Sequence, residues 1–166
     1  MTRVMRYLRH WYYGLRGARA AFPVAVRASI EREIGESERQ HRGEIRFAIE
    51  AALPMATLVR GASARQCALA AFASLGVWDT EANNGVLIYV LLADRSVELV
   101  ADRGIASRIA DDEWRSLCAE VEACFRDGDF EKGSLLAVRG VAQRLAQHFP
   151  AAASRTNELP NQPVLL

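Results

Sequence analysis

Residues 86–93 read Val-Leu-Ile-Tyr-Val-Leu-Leu-Ala, an uninterrupted apolar run of the chain. It falls far short of the roughly 20 apolar residues that a membrane-spanning helix needs. Apolar side chains on both faces are typical of a strand at the centre of a sheet that is covered on both sides. Residues 94–95 predict a turn after it. Residues 96–101 alternate polar and apolar side chains, which indicates a second strand paired antiparallel with the first.

Upstream of this hairpin, residues 44–50 alternate in the same way and predict another strand. Ser63 is placed to cap a helix that Gly76 closes, so a strand, a crossover helix and a strand follow one another, which predicts a parallel pair. Residues 51–61 are interpreted as a loop because of Pro54. Three further helices are predicted at about residues 23–40, 111–126 and 131–148. The predicted fold is a three-layer α/β/α sandwich, a small mixed β-sheet covered by about four helices.

The composition is that of one ordinary globular domain. The chain has 166 residues, of which 51% are apolar and 25% charged, with a formal net charge of +1. This balance excludes a largely disordered chain. Three cysteines with no Cys-x-x-Cys pair predict core residues in a reduced compartment, and no apolar signal-peptide segment follows the basic first residues. A cytoplasmic location is therefore expected.

The net charge divides into two unequal parts. Residues 1–21 carry five arginines and no acidic residue, whereas the remainder is net acidic by four charges. Phe22-Pro23 marks the boundary between them. We therefore predict a basic aromatic N-terminal arm over residues 1–21, a domain over 22–150 and an extended C-terminal tail over 151–166.

Arginine interleaved with tryptophan and tyrosine is typical of a segment that lies at a membrane surface. An anionic membrane surface is accordingly one expected partner, which would place the protein at the inner face of the membrane. The alternative is a disordered, solubilising N-terminus. Nucleic acid is not expected, because the rest of the chain is acidic. The residues assigned to membrane-surface contact are Arg3, Arg6, Arg9, Trp11, Arg16 and Arg19.

No P-loop, Gly-x-Gly-x-x-Gly, His-Glu-x-x-His or Gly-x-Ser-x-Gly motif is present, so the candidate site residues lie in polar loops. In an antiparallel hairpin, the entry to the first strand and the exit from the second lie at one end of the sheet. Carboxylate and amide oxygens gathered there suit a hard cation such as Ca²⁺. The alternative is that these residues only form turns. The residues expected to lie together at this end of the sheet are Asp79, Glu81, Asn83 and Asn84, before the first strand, and Asp102 and Arg103, after the second.

Asp127-Gly128-Asp129 forms a second acidic loop, which either stops a helix or binds a metal. The preceding helix of about 16 residues spans about 24 Å. If that helix packs along the strands, it carries Asp127 and Asp129 to the sheet end opposite Asp102. This argues against one shared site, unless residues 104–110 first return across the sheet.

Four blocks of sequence resemble the TPM domain family in order and spacing, over about residues 23–150. They are Leu75-Gly76-Val77-Trp78-Asp79, Asn83 to Val90, Asp94 to Leu99, and Phe125 to Gly133. The family takes its name from a thylakoid phosphatase-like protein, a photosystem II repair protein and an ion-channel accessory protein. The resemblance implies an α/β/α sandwich and, from various members, Ca²⁺ binding, weak acid phosphatase activity or a partnership with membrane complexes.

Carried onto this chain, the family's loop residues match Asp79, Asn83 and Asn84, and its acidic pair matches Asp127 and Asp129. The chain departs from the family after the hairpin. Where many members have Gly-aromatic-Gly-Leu-Glu, it has Asp102-Arg103-Gly104-Ile105-Ala106 and lacks the glutamate. Either Asp102 replaces this charge or the metal site is absent. The function expected is a non-enzymatic, calcium-binding accessory module of a membrane-associated complex. The alternative is a weak metal-assisted acid phosphatase with Arg103 as its phosphate contact.

Overall fold

A computed structural model describes residues 3–151 and 157–166 of the chain. In chain order, its elements are α1 (Arg3–Arg16), α2 (Ala18–Ala21), α3 (Val24–Ser37), β1 (Glu44–Glu50), α4 (Met55–Val59), α5 (Ala64–Ser74), β2 (Gly85–Leu91), β3 (Ser96–Ala101), α6 (Arg103–Ala106), α7 (Asp111–Arg126), α8 (Phe130–His148) and β4 (Val164–Leu165). A single 3₁₀ turn, Leu92–Asp94, joins β2 to β3. The four long helices of the core and the first three strands lie where the sequence predicts them.

The sheet is mixed and has the strand order β3-β2-β1-β4. β1 and β2 run parallel, with Glu44 opposite Gly85, and β2 runs antiparallel to β3, with Val86 opposite Ala101. Both predicted pairings are confirmed. Every residue of β2 is buried, as expected for a central strand. β4 joins the other side of β1 as a parallel strand.

Two apolar clusters cover the two faces of the sheet, because successive strand residues point to opposite sides. One cluster joins Val86, Ile88 and Val90 of β2 to residues of α3, α7 and α8. The other joins Leu87 and Tyr89 to residues of α4 and α5, with Tyr7 of α1 packed against it. This is the three-layer sandwich that the sequence predicts.

Two local predictions were wrong. β2 ends at Leu91 rather than at Ala93, because the chain turns there into the 3₁₀ turn. The segment after Pro54 is not a loop throughout, since α4 begins directly after this proline. Proline favours the start of a helix because its fixed φ suits the first turn and the N–H it lacks would have no partner there.

The described parts of the two terminal segments pack against the rest of the domain. At the N-terminal side, α1 contacts the turn between β2 and β3, and Ala18 and Phe22 are buried. At the C-terminal side, Leu159 is buried and Val164–Leu165 forms β4. Residues 1–2 and 152–156 of the predicted arm and tail lie outside the described residues.

A helix that crosses a bilayer must be both long and apolar. Within residues 3–151 and 157–166, no helix has both properties.

Candidate functional site

Two loops meet at the end of the sheet where β2 begins and β3 ends. The amide of Asp102 donates a hydrogen bond to the carbonyl of Gly85 at 2.9 Å, and the amide of Gly104 donates to the carbonyl of Asn83 at 3.0 Å. The predicted proximity of these loops is therefore confirmed. It follows from the antiparallel register, which sets the residue before β2 beside the residue after β3.

Asn84 is fixed in place by three hydrogen bonds. Its backbone amide donates to Thr80 Oγ1 at 3.1 Å, its carbonyl accepts from the amide of Glu44 at 3.1 Å, and its Nδ2 donates to the carbonyl of Arg42 at 2.6 Å. Because a carbonyl can only accept, this last bond decides the orientation of the side-chain amide. The side chain therefore directs Oδ1 away from Arg42. Asn84 is 2% exposed, and its Oδ1 has no hydrogen-bond partner among the residues described.

Asp102 caps the short helix α6. Its Oδ1 accepts from the amide of Arg103 at 2.6 Å, as expected of an aspartate that precedes a helix. The residue is only 6% exposed, and in the described part of the chain nothing donates to its Oδ2. A buried carboxylate oxygen without a donor or a cation is costly, because it has lost water and gained nothing in return. Capping accounts for the burial of Asp102 Oδ1 but not for the burial of Oδ2.

Gly104 allows the two loops to approach each other closely. A Cβ at this position would lie 2.6 Å from the carbonyl oxygen of Asn83 and 3.0 Å from that of Ala82. Both atoms belong to the backbone, so a side chain would force the loops apart. The glycine therefore lets the loop that follows Asp102 pack directly against the loop that precedes Asn84.

The other residues predicted for this site have different surroundings. Asp79 and Arg103 are exposed, and Asn83 is half-buried with a positive φ of 50°. The amide of Glu81 donates to Glu158 Oε2 at 2.9 Å, which joins the loop to the C-terminal segment. These residues lie in the same two loops as Asn84 and Asp102, and Asp79, Glu81 and Arg103 are open to solvent.

Asp127 and Asp129 lie at the opposite end of the sheet. Arg95, in the turn between β2 and β3, donates from Nη1 to the carbonyl of Arg126 at 3.1 Å, next to this loop. Asp129 caps α8 by accepting from the amide of Lys132 at 3.2 Å. The two acidic loops are thus separate, as the length of α7 predicts. No cluster of three or more His, Cys, Asp or Glu side chains with the arrangement of a metal site occurs in residues 3–151 and 157–166.

Sequence reasoning missed Glu44, the first residue of β1. It is 1% exposed, and its Oε2 accepts from the amide of Leu159 at 3.3 Å. Because β1 and β2 are parallel and Glu44 pairs with Gly85, its carboxylate lies at the same end of the sheet as Asn84. The signal available in the sequence is a charged residue at the start of a strand that pairs with the central one.

The residues assigned to membrane contact divide into two groups. Arg6 is directed inward, where Nε and Nη2 contact the carboxylate of Asp94 at 2.9 to 3.2 Å and Nη2 also donates to the carbonyl of Ala62. This contact differs from the surface role predicted for Arg6. Arg9 is half-buried, Trp11, Arg16 and Arg19 are exposed, and the side chain of Arg3 lies outside the described residues.

Buried polar groups also lie beneath α1. Tyr89 donates a hydrogen bond to Glu50, and burial raises the pKa of both side chains above their ordinary values. Burial likewise raises the pKa of the Cys67 thiol, and the Glu50 carboxylate adds to this increase. A thiol with a raised pKa is a poor nucleophile. Cys67 therefore has the chemistry of a core residue, as its helical spacing predicts.

Comparison with known proteins gives a matching family and a similar solved structure among several. The family model described as "TPM domain" matches residues 6–144. The BA42 protein from the psychrophilic bacterium Bizionia argentinensis, solved by NMR, is 27% identical, with a TM-score of 0.75 over 85% of this chain and 92% of that one. No curated protein matches the chain.

Proposed function

The chain belongs to the TPM domain family, and from that premise we propose that it is a non-enzymatic, divalent-cation-binding accessory module of a membrane-associated complex. The cation is Ca²⁺ or an ion of similar chemistry. Its site is the sheet end where β2 begins and β3 ends. The acidic loop at residues 127–129 is not part of it.

One observation carries the proposal: Asn84 Oδ1 and Asp102 Oδ2 are buried in adjoining loops and have no partner in the part of the chain that the structure describes. Both are oxygen donors, which Ca²⁺ and Mg²⁺ prefer, and one of them carries charge. The residues present therefore fit a hard cation. Asp79 and Asn83, in the same loop as Asn84, would offer additional oxygen donors, and water would complete the ligand set.

A bound cation supplies positive charge to the Asp102 carboxylate and a link between two loops. Neighbouring residues of the chain position Asn84 and Asp102 for cation binding. Arg42 and Thr80 fix the orientation of Asn84, and Gly104 allows Asp102 to approach it. A loop pair that becomes rigid on binding an ion presents a defined surface to a partner, which suits an accessory role.

Isothermal titration of the wild type with CaCl₂ and with MgCl₂ tests the cation site. Asp102→Asn keeps the size of the side chain and removes its charge, so binding should weaken at least about tenfold. Asp127→Asn makes the same change at the opposite end of the sheet and should bind as the wild type does. Absence of binding at millimolar cation, or equal binding by Asp102→Asn, would contradict the proposal.

The phosphatase alternative has its own test, because Arg103 is exposed next to Asp102. Hydrolysis of a generic phosphate ester should stay at background in the presence of the cation. Turnover by the wild type that is lost in both Arg103→Ala and Asp102→Asn would show an enzyme and refute the non-enzymatic role.

A further inference from the structure

Helix α1 presents an apolar stripe to solvent. Val4, Leu8, Trp11 and Leu15 recur at four- and three-residue steps and so lie on one side of the helix. They are 68%, 55%, 61% and 69% exposed. Soluble proteins rarely expose a contiguous apolar surface of this kind unless something binds there.

The polar side of the same helix faces the domain. Arg6 forms its ion pair with Asp94, and His10 Nε2 lies 3.1 Å from Asp94 Oδ1. His10 Nδ1 accepts from the amide of Leu53 at 3.0 Å. Rotating α1 to bury the apolar stripe would remove all of these bonds and leave Asp94 without its partners. The outward direction of the stripe is thus enforced by the contacts beneath it.

The apolar surface continues onto α4. Met55 and Val59 are 53% and 69% exposed, and a shallow groove between the two helices is lined by Trp11, Leu15 and Met55. We call the exposed residues Val4, Leu8, Trp11, Leu15, Met55 and Val59 the α1–α4 surface.

The charge around this surface is positive. Residues 3–30 contain no aspartate or glutamate, and Arg16 and Arg19 are exposed at the C-terminal side of the stripe. The guanidinium of Arg16 lies 5.1 Å from the centre of the Tyr12 ring. Arg60, next to Val59, is exposed as well. Arginines that border an apolar surface with Trp and Tyr are typical of helices that lie in the interface of an anionic bilayer.

We propose that the α1–α4 surface binds the surface of an anionic lipid bilayer. Helix α1 lies flat between the domain and the lipid, with its apolar stripe among the acyl chains and Arg16 and Arg19 at the headgroups. A helix of this length covers about 21 Å of membrane surface. Charge complementarity favours a bilayer over a second copy of the chain, because two such surfaces brought together would oppose arginine with arginine.

This inference goes beyond the proposed function and does not depend on it. Asp94, to which α1 is bound, follows β2, whereas Asn84 precedes that strand. The α1–α4 surface and the cation site therefore belong to opposite ends of the sheet. Vesicle binding measured without divalent cations tests the α1–α4 surface, and titration with CaCl₂ tests the cation site.

The experiment is co-flotation of the full chain with phosphatidylglycerol–phosphatidylcholine vesicles in EDTA, with pure phosphatidylcholine vesicles as the comparison. The wild type should bind the anionic vesicles and lose most of that binding as salt is raised. Leu15→Glu should reduce binding at least about tenfold, because it places a charge in the apolar stripe. Leu69→Glu is the matched control, since Leu69 is 48% exposed on α5, outside the surface.

Circular dichroism should show that both glutamate variants remain folded. Absence of vesicle binding by the folded wild type, or equal loss in Leu15→Glu and Leu69→Glu, would overturn the proposal. Binding only when Ca²⁺ is present would also overturn it and would assign the contact to the cation site. A dimer in sedimentation that Leu15→Glu converts to a monomer, without vesicle binding, would assign the surface to a second copy.

Discussion

His10 Nε2 lies 3.1 Å from Asp94 Oδ1, and this bond joins the N-terminal helix to the turn between β2 and β3. The amide of Leu53 can only donate, so His10 Nδ1 accepts from it and the ring proton is on Nε2. The imidazole is therefore neutral and donates to the carboxylate. Burial lowers the pKa of His10 below its ordinary value of 6.5, and this outweighs the opposing effect of Asp94.

Arg6→Ala should lower the free energy of unfolding by about 2–3 kcal/mol. The change leaves the Asp94 carboxylate, whose side chain is 14% exposed, with His10 as its remaining side-chain partner. Urea unfolding measures the loss, and faster amide exchange in α1 locates it. Arg115→Ala is the control, since the ion pair of Arg115 with Asp112 is fully exposed and its removal should leave stability unchanged. Equal effects of the two substitutions would show that the Arg6 contact does not hold α1.

The contribution of His10 to the free energy of unfolding should fall as the pH is lowered from about 7.5 to about 5.5. The unfolded chain protonates His10 near 6.5, whereas the folded chain does so only at lower pH, so protons favour unfolding in this window. Asp94 stays ionised there, because hydrogen bonds from Arg6 and His10 outweigh burial and hold its pKa below 3.8. Urea unfolding should show a smaller pH dependence for His10→Gln than for the wild type. An NMR titration midpoint of His10 above 6.5 would contradict this prediction.

Gly104→Ala should lower the free energy of unfolding by about 1–3 kcal/mol and weaken Ca²⁺ binding as well. The new methyl would lie 2.6 Å from the Asn83 carbonyl oxygen and would separate the two loops. Gly14→Ala is the comparison, because its methyl would lie 3.9 Å from Ala52 Cβ, an ordinary contact. Within α1, that change should raise stability by about 0.5–1 kcal/mol. Thermal unfolding measures the stability of the two variants, and calorimetry measures their Ca²⁺ binding. If Gly104→Ala changed neither quantity, the two loops would not need this close approach.

Arg46→Ala should release the C-terminal segment from the sheet. Arg46 Nη1 donates to the carbonyls of Pro160 and Gln162 at 2.7 and 2.6 Å, and charged donors of this kind contribute about 1.5–3 kcal/mol each. The Leu166 amide, which donates to the carbonyl of Ile49 at 2.9 Å, should exchange faster with solvent. Arg42→Ala changes an exposed arginine and serves as the control. Unchanged exchange at Leu166 in Arg46→Ala would mean that β4 holds the segment without the arginine.

The first three strands and the four long helices could be predicted because their signals are local. The alternation in residues 44–50 and 96–101 and the apolar run at 86–93 each specify a strand within a few residues. The meeting of Asn84 and Asp102 could also be predicted, because it follows from hairpin geometry alone. The separation of Asp127 from Asp102 followed from the length of one helix, once that helix packed along the sheet.

The sequence by itself determined an α/β/α sandwich around a central hydrophobic strand, and it determined which polar loops share one end of the sheet. Only the tertiary structure decided that β4 joins β1 and that the side of the N-terminal helix with Arg6 and His10 faces the domain. The contacts responsible join residues far apart in the chain, as Arg6 with Asp94 and Arg46 with Pro160. Local periodicity shows that α1 is amphipathic but does not show which side faces the domain, because that choice depends on a half-buried carboxylate more than 80 residues away.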